Sequence, residues 1–323
     1  MTTIGVIGAG AWGTALSVML ANEERDVLLF GRDPEVVEEI NTYQTNSGYL
    51  PGCALPSGIV ATEKLDEVAK RDVALCVVPA QSFHAIKMEL RNKIGADTRL
   101  VLCAKGIDRL TSKFLHELAS DILPHERISA LSGPSFAADV AMAKPTAVTL
   151  ASHSLETAQS LAALLSSPVF RIYASDDLIG VEAGGALKNV LALAVGIARG
   201  LDLGASAEAA LIARAFSEMS SVATGIGGRP ETLAGLSGLG DLILTCSGPQ
   251  SRNFTYGVAL ARGEDLTNLP LAEGVATASM ALKIANENSM SVPITKAIVD
   301  VLDSKLSPNE AVTELLSRPL RTE

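Results

Sequence analysis

The stretch TIGVIGAGAWGTALSVMLANE, Thr3 to Glu23, decides the fold. A short apolar run, TIGVI, leads into Gly8-Ala9-Gly10-Ala11-Trp12-Gly13, which satisfies G-x-G-x-x-G, and the pattern then turns helical through WGTALSVMLANE. Strand, glycine turn and helix in that order make the first βα unit of a dinucleotide-binding sheet. In such a unit Gly8 permits the tight turn and Gly10 lets backbone approach a pyrophosphate. Gly13 lets the helix pack on the strand while its N-terminus faces the phosphates. A strand-to-helix turn with no ligand uses the same letters, so the context carries the reading.

Working outward, short β-like runs alternate with helical patterns through DVLLFGR, DVALCVVPA, RLVLCAKG, ISALSG and PTAVTLAS, and VFRIYAS reads as the last strand. Near-continuous apolar strands in alternation with helices predict a parallel sheet covered on both faces, the doubly wound Rossmann-type α/β architecture. From about Ser175 the periodicity becomes helical in AEAALIARAFSEMSSVATGIG, NFTYGVALARG and VATASMALKIANENS. The expected division is therefore a dinucleotide-binding Rossmann domain at 1–174 and an all-helical substrate-binding domain at 175–323. The alanine-rich helical half offers a face for a homodimer.

The chain of 323 residues is long enough for two domains, and 48% apolar against 19% charged residues implies globular structure throughout. A formal net charge of -10 and a pI near 5.0 argue against nucleic acid or an anionic membrane as the main partner. An anionic small molecule must then be captured locally. The start lacks the basic segment of a signal peptide, and the longest apolar stretches read as interrupted before the roughly 20 residues a membrane span requires. The scattered Cys53, Cys76, Cys103 and Cys246 fit a reducing cytoplasm, and the histidines show no zinc-site spacing, so no metal is expected.

The second strand ends where a NAD site usually places an acid for the ribose hydroxyls, and this chain has Gly31 and Arg32 there. A guanidinium can pair with a 2′-phosphate, which points to NADP, slightly favoured over NAD, or to use of both cofactors, although a solvated surface arginine satisfies the same letters. Asp33 has three readings: a partner for Arg32, a ribose ligand, or the cap of a helix starting at Pro34.

Lys188 and Asn189 interrupt the apolar helix DDLIGVEAGGALKNVLALAVGIARG. Burial favours a neutral amine and lowers its pKa, which would make a useful base. Gly184 and Gly185 lie one turn before Lys188, leaving space for a ligand; close helix packing around a snorkelling lysine is the plainer alternative. In GLSGLGDLILTCSGPQSRN, Asp241 either caps a helix or holds a substrate hydroxyl or the lysine. Ser251, Arg252 and Asn253 offer hydroxyl, guanidinium and amide donors before another helix, a set suited to phosphate or simply a helix cap. Lys105 follows a strand at the carboxyl edge of the sheet, and SGPSFA offers backbone donors from Gly133 and the hydroxyl of Ser135.

Together, GAGAWGTAL, NSGYLP, VPAQ, CAKGI, SGPSFA, GGALKNVLALAVGI, GLGDLILTC, SRN and AEGVATA closely resemble the bacterial NAD(P)-dependent glycerol-3-phosphate dehydrogenases, in order from about residue 2 to about residue 315. The resemblance implies reversible reduction of dihydroxyacetone phosphate to sn-glycerol 3-phosphate, feeding glycerophospholipid synthesis. It implies Lys188 as catalytic acid/base, Lys105 as a lysine contacting substrate near the cofactor, and Asp241 with Thr245 as the polar group supporting the catalytic lysine. Substrate would also meet Gly133, Ser135, Ser251, Arg252 and Asn253. Cofactor positions would be Gly8, Gly10, Ala11, Trp12, Gly13, Arg32, Tyr49, Lys105, Ala137, Arg252, Leu271 and Glu273. Ala276 departs from the larger polar residue of many relatives. Two rivals are a hydroxy-acid or sugar-acid dehydrogenase of similar architecture and a catalytically silent NAD(P) sensor. A serine hydrolase is excluded, since no G-x-S-x-G occurs in a nucleophile-elbow context.

Overall fold

The computed structural model describes residues 2–319. Strands β1 (Thr3–Ile7), β2 (Asp26–Phe30), β3 (Ile59–Thr62), β4 (Val73–Cys76), β5 (Arg99–Leu102), β6 (Ile128–Ser132), β7 (Thr146–Ser152) and β8 (Phe170–Ser175) form one sheet in the order β3-β2-β1-β4-β5-β6-β7-β8. The strand order reverses direction at β1, between β2 and β4, which opens a crevice at the carboxyl ends where ligands of such sheets bind.

Two features depart from the expected sheet. Strand β3 has only four residues, with Val60 half exposed because it forms an edge, so its period was too short to read. The β6–β7 pair is antiparallel, with Ser132 opposite Thr149. The 133–145 connection therefore turns back at the carboxyl end of β6 instead of crossing a face, and this keeps Gly133, Ser135 and Ala137 beside the crevice.

Helices α1 (Ala11–Asn22), α2 (Pro34–Tyr43), α3 (Leu65–Ala69), α4 (Phe83–Leu90), α5 (Leu115–Ala119), α6 (Ala137–Ala141) and α7 (Leu155–Leu165) accompany the sheet. One face is sealed by Leu16, Leu20, Ile40 and Leu161 from α1, α2 and α7; the other by Val68, Phe83, Ile86 and Leu118 from α3, α4 and α5. Both faces are buried, as strands with continuous apolar runs require.

The remaining helices are α8 (Leu178–Gly200), α9 (Ala205–Gly225), α10 (Pro230–Ala234), α11 (Asp241–Cys246), α12 (Arg252–Arg262), α13 (Glu273–Glu287), α14 (Pro293–Leu302) and α15 (Pro308–Leu316). Helix α8 is their axis, contacting α9 and α11 to α14 as well as β6. Asp177 caps it by accepting from the Gly180 N–H at 2.8 Å. At 23 residues α8 is long and apolar enough to cross a membrane, contrary to the sequence expectation, but 89% of its most apolar window is buried inside the fold. Its apolar surface on all sides is that of a core helix.

Candidate active site

Each glycine of the fingerprint meets a different physical demand. Gly8 has φ +121°, a conformation that disfavours any side chain, and its N–H donates to the Phe30 carbonyl at 3.0 Å. A Cβ on Gly13 would lie 1.9 Å from the Gly8 carbonyl oxygen, so α1 can seat on β1 only without one. A Cβ on Gly10 would meet nothing within 4 Å. Gly10 is also the N-cap of α1 and, being glycine, brings no side-chain cap to the helix N-terminus. The space beside Gly10 and the uncapped helix end fit a pyrophosphate.

Asn46 pins this turn. Fully buried, it donates from Nδ2 to the Ala9 carbonyl at 2.9 Å and to Thr14 Oγ1 at 2.8 Å. Its role was hidden in the sequence because its partners lie 37 and 32 residues away. Ala11 and Trp12 open α1, with the Trp12 ring 6.3 Å from Phe170. Ala137 opens α6, which packs on α1. Tyr49 and Leu271 are exposed.

Of its three readings, Asp33 takes the helix cap: its Oδ1 accepts from Glu35 N at 3.0 Å at the start of α2. Arg32 is exposed, and its guanidinium donates to Glu89 of α4 at 2.7 Å.

The second cluster joins the sheet to the helical domain. Lys188 is 7% exposed and donates from Nζ to Asp241 Oδ1 at 2.5 Å and to Thr245 Oγ1 at 2.8 Å. Thr245 is oriented to accept because its hydroxyl donates to the Asp241 carbonyl at 2.6 Å. Lys105, in the loop beyond β5, donates to Asp241 Oδ2 at 2.7 Å and to the Gly133 carbonyl at 2.9 Å. One carboxylate, 1% exposed, thus holds two ammonium groups. An ammonium has three N–H donors, and among the described residues each lysine spends two on these partners, leaving one for a ligand.

Burial lowers the Lys188 pKa to about 8; the Asp241 charge opposes the fall and Lys105 adds to it. That value suits a group that must both give and take a proton near neutrality.

The geometry settles several alternatives. Asp241 is the first residue of α11 and its carboxylate binds the lysines instead of capping the helix. A π-helical turn, Leu236–Gly240, delivers it there. Gly184 and Gly185 make room for protein, not for ligand: a Cβ on either would come within 2.6 Å of the Ser237 carbonyl oxygen or of Ser132 Oγ, respectively. Gly133 contributes an acceptor, its carbonyl, which takes hydrogen bonds from Lys105 and from Ser135 Oγ at 3.1 Å. Ser251 caps α12, accepting from Phe254 N at 3.3 Å. The buried Asn253 donates to Asn189 Oδ1 at 3.0 Å and accepts from Gly274 N at 2.8 Å, tying α8, α12 and α13 together. Arg252 between them is exposed. Glu273 receives the Ala80 N–H at 3.5 Å; burial raises its pKa, opposed by that N–H and by the charges of Arg252, Lys188 and Lys105.

A doubly wound sheet whose first βα turn carries the glycine fingerprint, followed by an all-helical region with a buried lysine at the junction, has the architecture of an NAD(P)-dependent oxidoreductase. The family model for the N-terminal part of NAD-dependent glycerol-3-phosphate dehydrogenase matches residues 3–158, and that for its C-terminal part matches 177–313. The glycerol-3-phosphate dehydrogenase [NAD(P)+] of Brucella canis is 52% identical over 323 residues, 100% of this chain and 99% of the relative. That of Chelativorans sp. is 48% identical, covering 99% and 98%. The crystal structure of the Coxiella burnetii glycerol-3-phosphate dehydrogenase superposes with a TM-score of 0.93 at 38% identity, covering 98% of this chain and 99% of that one. The chain belongs to the NAD-dependent glycerol-3-phosphate dehydrogenase family.

Proposed function

We propose that this chain reversibly reduces dihydroxyacetone phosphate to sn-glycerol 3-phosphate with NAD(P)H, with Lys188 as general acid/base. The observation that carries the reading is the Lys188–Asp241–Lys105 cluster, facing the carboxyl ends of a dinucleotide-binding sheet. When bound, the nicotinamide supplies or accepts the hydride. In reduction the Lys188 ammonium donates its remaining proton to the substrate C2 oxygen; in oxidation the neutral amine takes the hydroxyl proton. Lys105 points its own remaining N–H toward the same oxygen and stabilises the charge that develops there. Arg252, at the N-terminus of α12, binds the phosphate, flanked by Ser251 and Asn253, whose own side chains shape that helix start. A net charge of -10 makes such local capture necessary.

In this reading residues 1–174 bind the dinucleotide and 175–323 bind substrate, a division supported by the end of β8 at Ser175 and the start of α8 at Leu178. Lys105, Gly133 and Ser135 reach across it. The reading includes a cytoplasmic homodimer feeding glycerophospholipid synthesis and needs no metal. All four cysteines are free thiols, which suits a reducing compartment.

The test is nicotinamide absorbance with dihydroxyacetone phosphate, using NADPH and NADH in parallel and unphosphorylated dihydroxyacetone as control. Turnover only with the phosphorylated ketone is the expected result; turnover of 2-keto acids instead would replace it with the hydroxy-acid reading. Lys188→Ala is expected to lower turnover by about 10²–10⁴ while dinucleotide binding persists. Near wild-type turnover in that variant removes Lys188 from its role.

A further inference from the structure

The end of β2 is the place where a dinucleotide-binding sheet distinguishes a free ribose from a phosphorylated one. In this chain that place is occupied by a pair of opposite charges. Gly31 is buried, and a Cβ there would lie 3.2 Å from the Ala9 Cβ and 3.0 Å from Val37 Cγ2, so the chain leaves β2 pressed against the phosphate loop. Arg32 follows at once. Its guanidinium donates to Glu89 Oε1 at 2.7 Å, 57 residues away on α4, and the two side chains are 55% and 44% exposed. The neighbouring acid, Asp33, caps α2 through Oδ1, which accepts from Glu35 N at 3.0 Å.

We propose that Glu89 is a specificity-determining residue for the cofactor: it holds Arg32 by an ion pair, and a 2′-phosphate must compete with it for the guanidinium. NADH, lacking that phosphate, has no such competition, so Glu89 narrows the gap between the two cofactors. The inference rests on the dinucleotide reading of the Gly8–Gly13 turn. Both partners are solvated, so the effect is modest, and salt reduces it.

The test uses direct binding rather than turnover. Trp12, the chain's single tryptophan, stands in the fingerprint and reports occupancy by fluorescence. Titrations with NADPH and NADH compare wild type, Glu89→Gln, Arg32→Ala and the double variant. Glu89→Gln is expected to tighten NADPH by about 2–5-fold with NADH unchanged, the range for an exposed ion pair. The gain is expected to vanish when Arg32 is already alanine, as coupling through that pair requires. Equal changes for both cofactors, no change, or a gain that survives Arg32→Ala overturns the proposal while the dinucleotide reading stands. Wild-type protein that binds neither cofactor, checked by calorimetry, overturns both.

Discussion

Replacing Asp241 by asparagine removes one negative charge and almost no volume from a site where that charge faces two ammonium groups, at 2.5 Å and 2.7 Å. Lys188 titrates near 8 because burial lowers its pKa while Asp241 restrains the fall. Without the carboxylate only the lowering influences remain. Two unit charges about 4 Å apart attract by about 4 kcal/mol at an effective dielectric near 20, and about 1.4 kcal/mol corresponds to one pH unit. The Lys188 midpoint should therefore move acidward by about 1–3 pH units.

The assay is kcat/KM against pH in both directions. With Lys188 in the proposed acid/base role, oxidation of glycerol 3-phosphate uses the neutral amine and is expected to rise through about pH 8 in the wild type, while reduction of dihydroxyacetone phosphate uses the ammonium and is expected to fall through the same midpoint. In Asp241→Asn both limbs move to lower pH, and at pH 7 reduction suffers more than oxidation. Unfolding free energy also drops by up to about 3–5 kcal/mol, as when a buried pair loses one partner, so the comparison is made where circular dichroism shows a folded protein. A folded variant with unchanged limbs refutes the assignment of Lys188 as the titrating group under Asp241 control.

Two further predictions concern backbone space and a buried pair. Gly10→Ala, whose Cβ points into open space, is expected to keep unfolding free energy within about 0.5 kcal/mol of wild type yet weaken dinucleotide binding. Gly13→Ala, whose Cβ would lie 1.9 Å from the Gly8 carbonyl oxygen, is expected to lose about 1–3 kcal/mol or more. Denaturant melts and Trp12 titrations check both, and equal stability losses would show that the loop is not built as described. His116 pairs through Nδ1 with Glu182 near the start of α8; burial disfavours its charge, but the hydrogen bond and attraction to Glu182 outweigh it and raise its pKa. A raised native pKa gives stability that is full below the unfolded value of about 6.5 and is lost as pH rises through the native one. Glu182→Gln is thus expected to destabilise more at pH 6 than at pH 9; equal losses at the two pH values would contradict the pairing.

Several elements were legible because their cause is local. The strand Thr3–Ile7, the glycine turn and helix α1 follow from short-range pattern and sterics, and so do the strand runs through VFRIYAS and the change to helical period after Ser175. Strand β3 escaped because an edge strand of four residues needs little apolar alternation. The antiparallel β6–β7 pair escaped because strand direction is set by where the connection goes, which the strand letters do not record. Asp241 shows the same limit at a single residue. Its sequence context, a glycine-rich turn before LILT, fits a helix cap as well as a lysine partner, and only the approach of α8 and the loop beyond β5 decided between them.

By itself the sequence determined a dinucleotide-type sheet, a helical second half and a lysine inside an apolar helix. These rest on periodicity, glycine conformation and the cost of burying charge, all of which act over a few residues. The tertiary structure alone decided that Lys188 and Lys105, 83 positions apart in the chain, share one carboxylate, that Gly184 and Gly185 admit protein instead of ligand, and that Arg32 is held by Glu89. Those outcomes depend on distances between segments remote in sequence, and electrostatic energy depends on distance and burial, not on order along the chain.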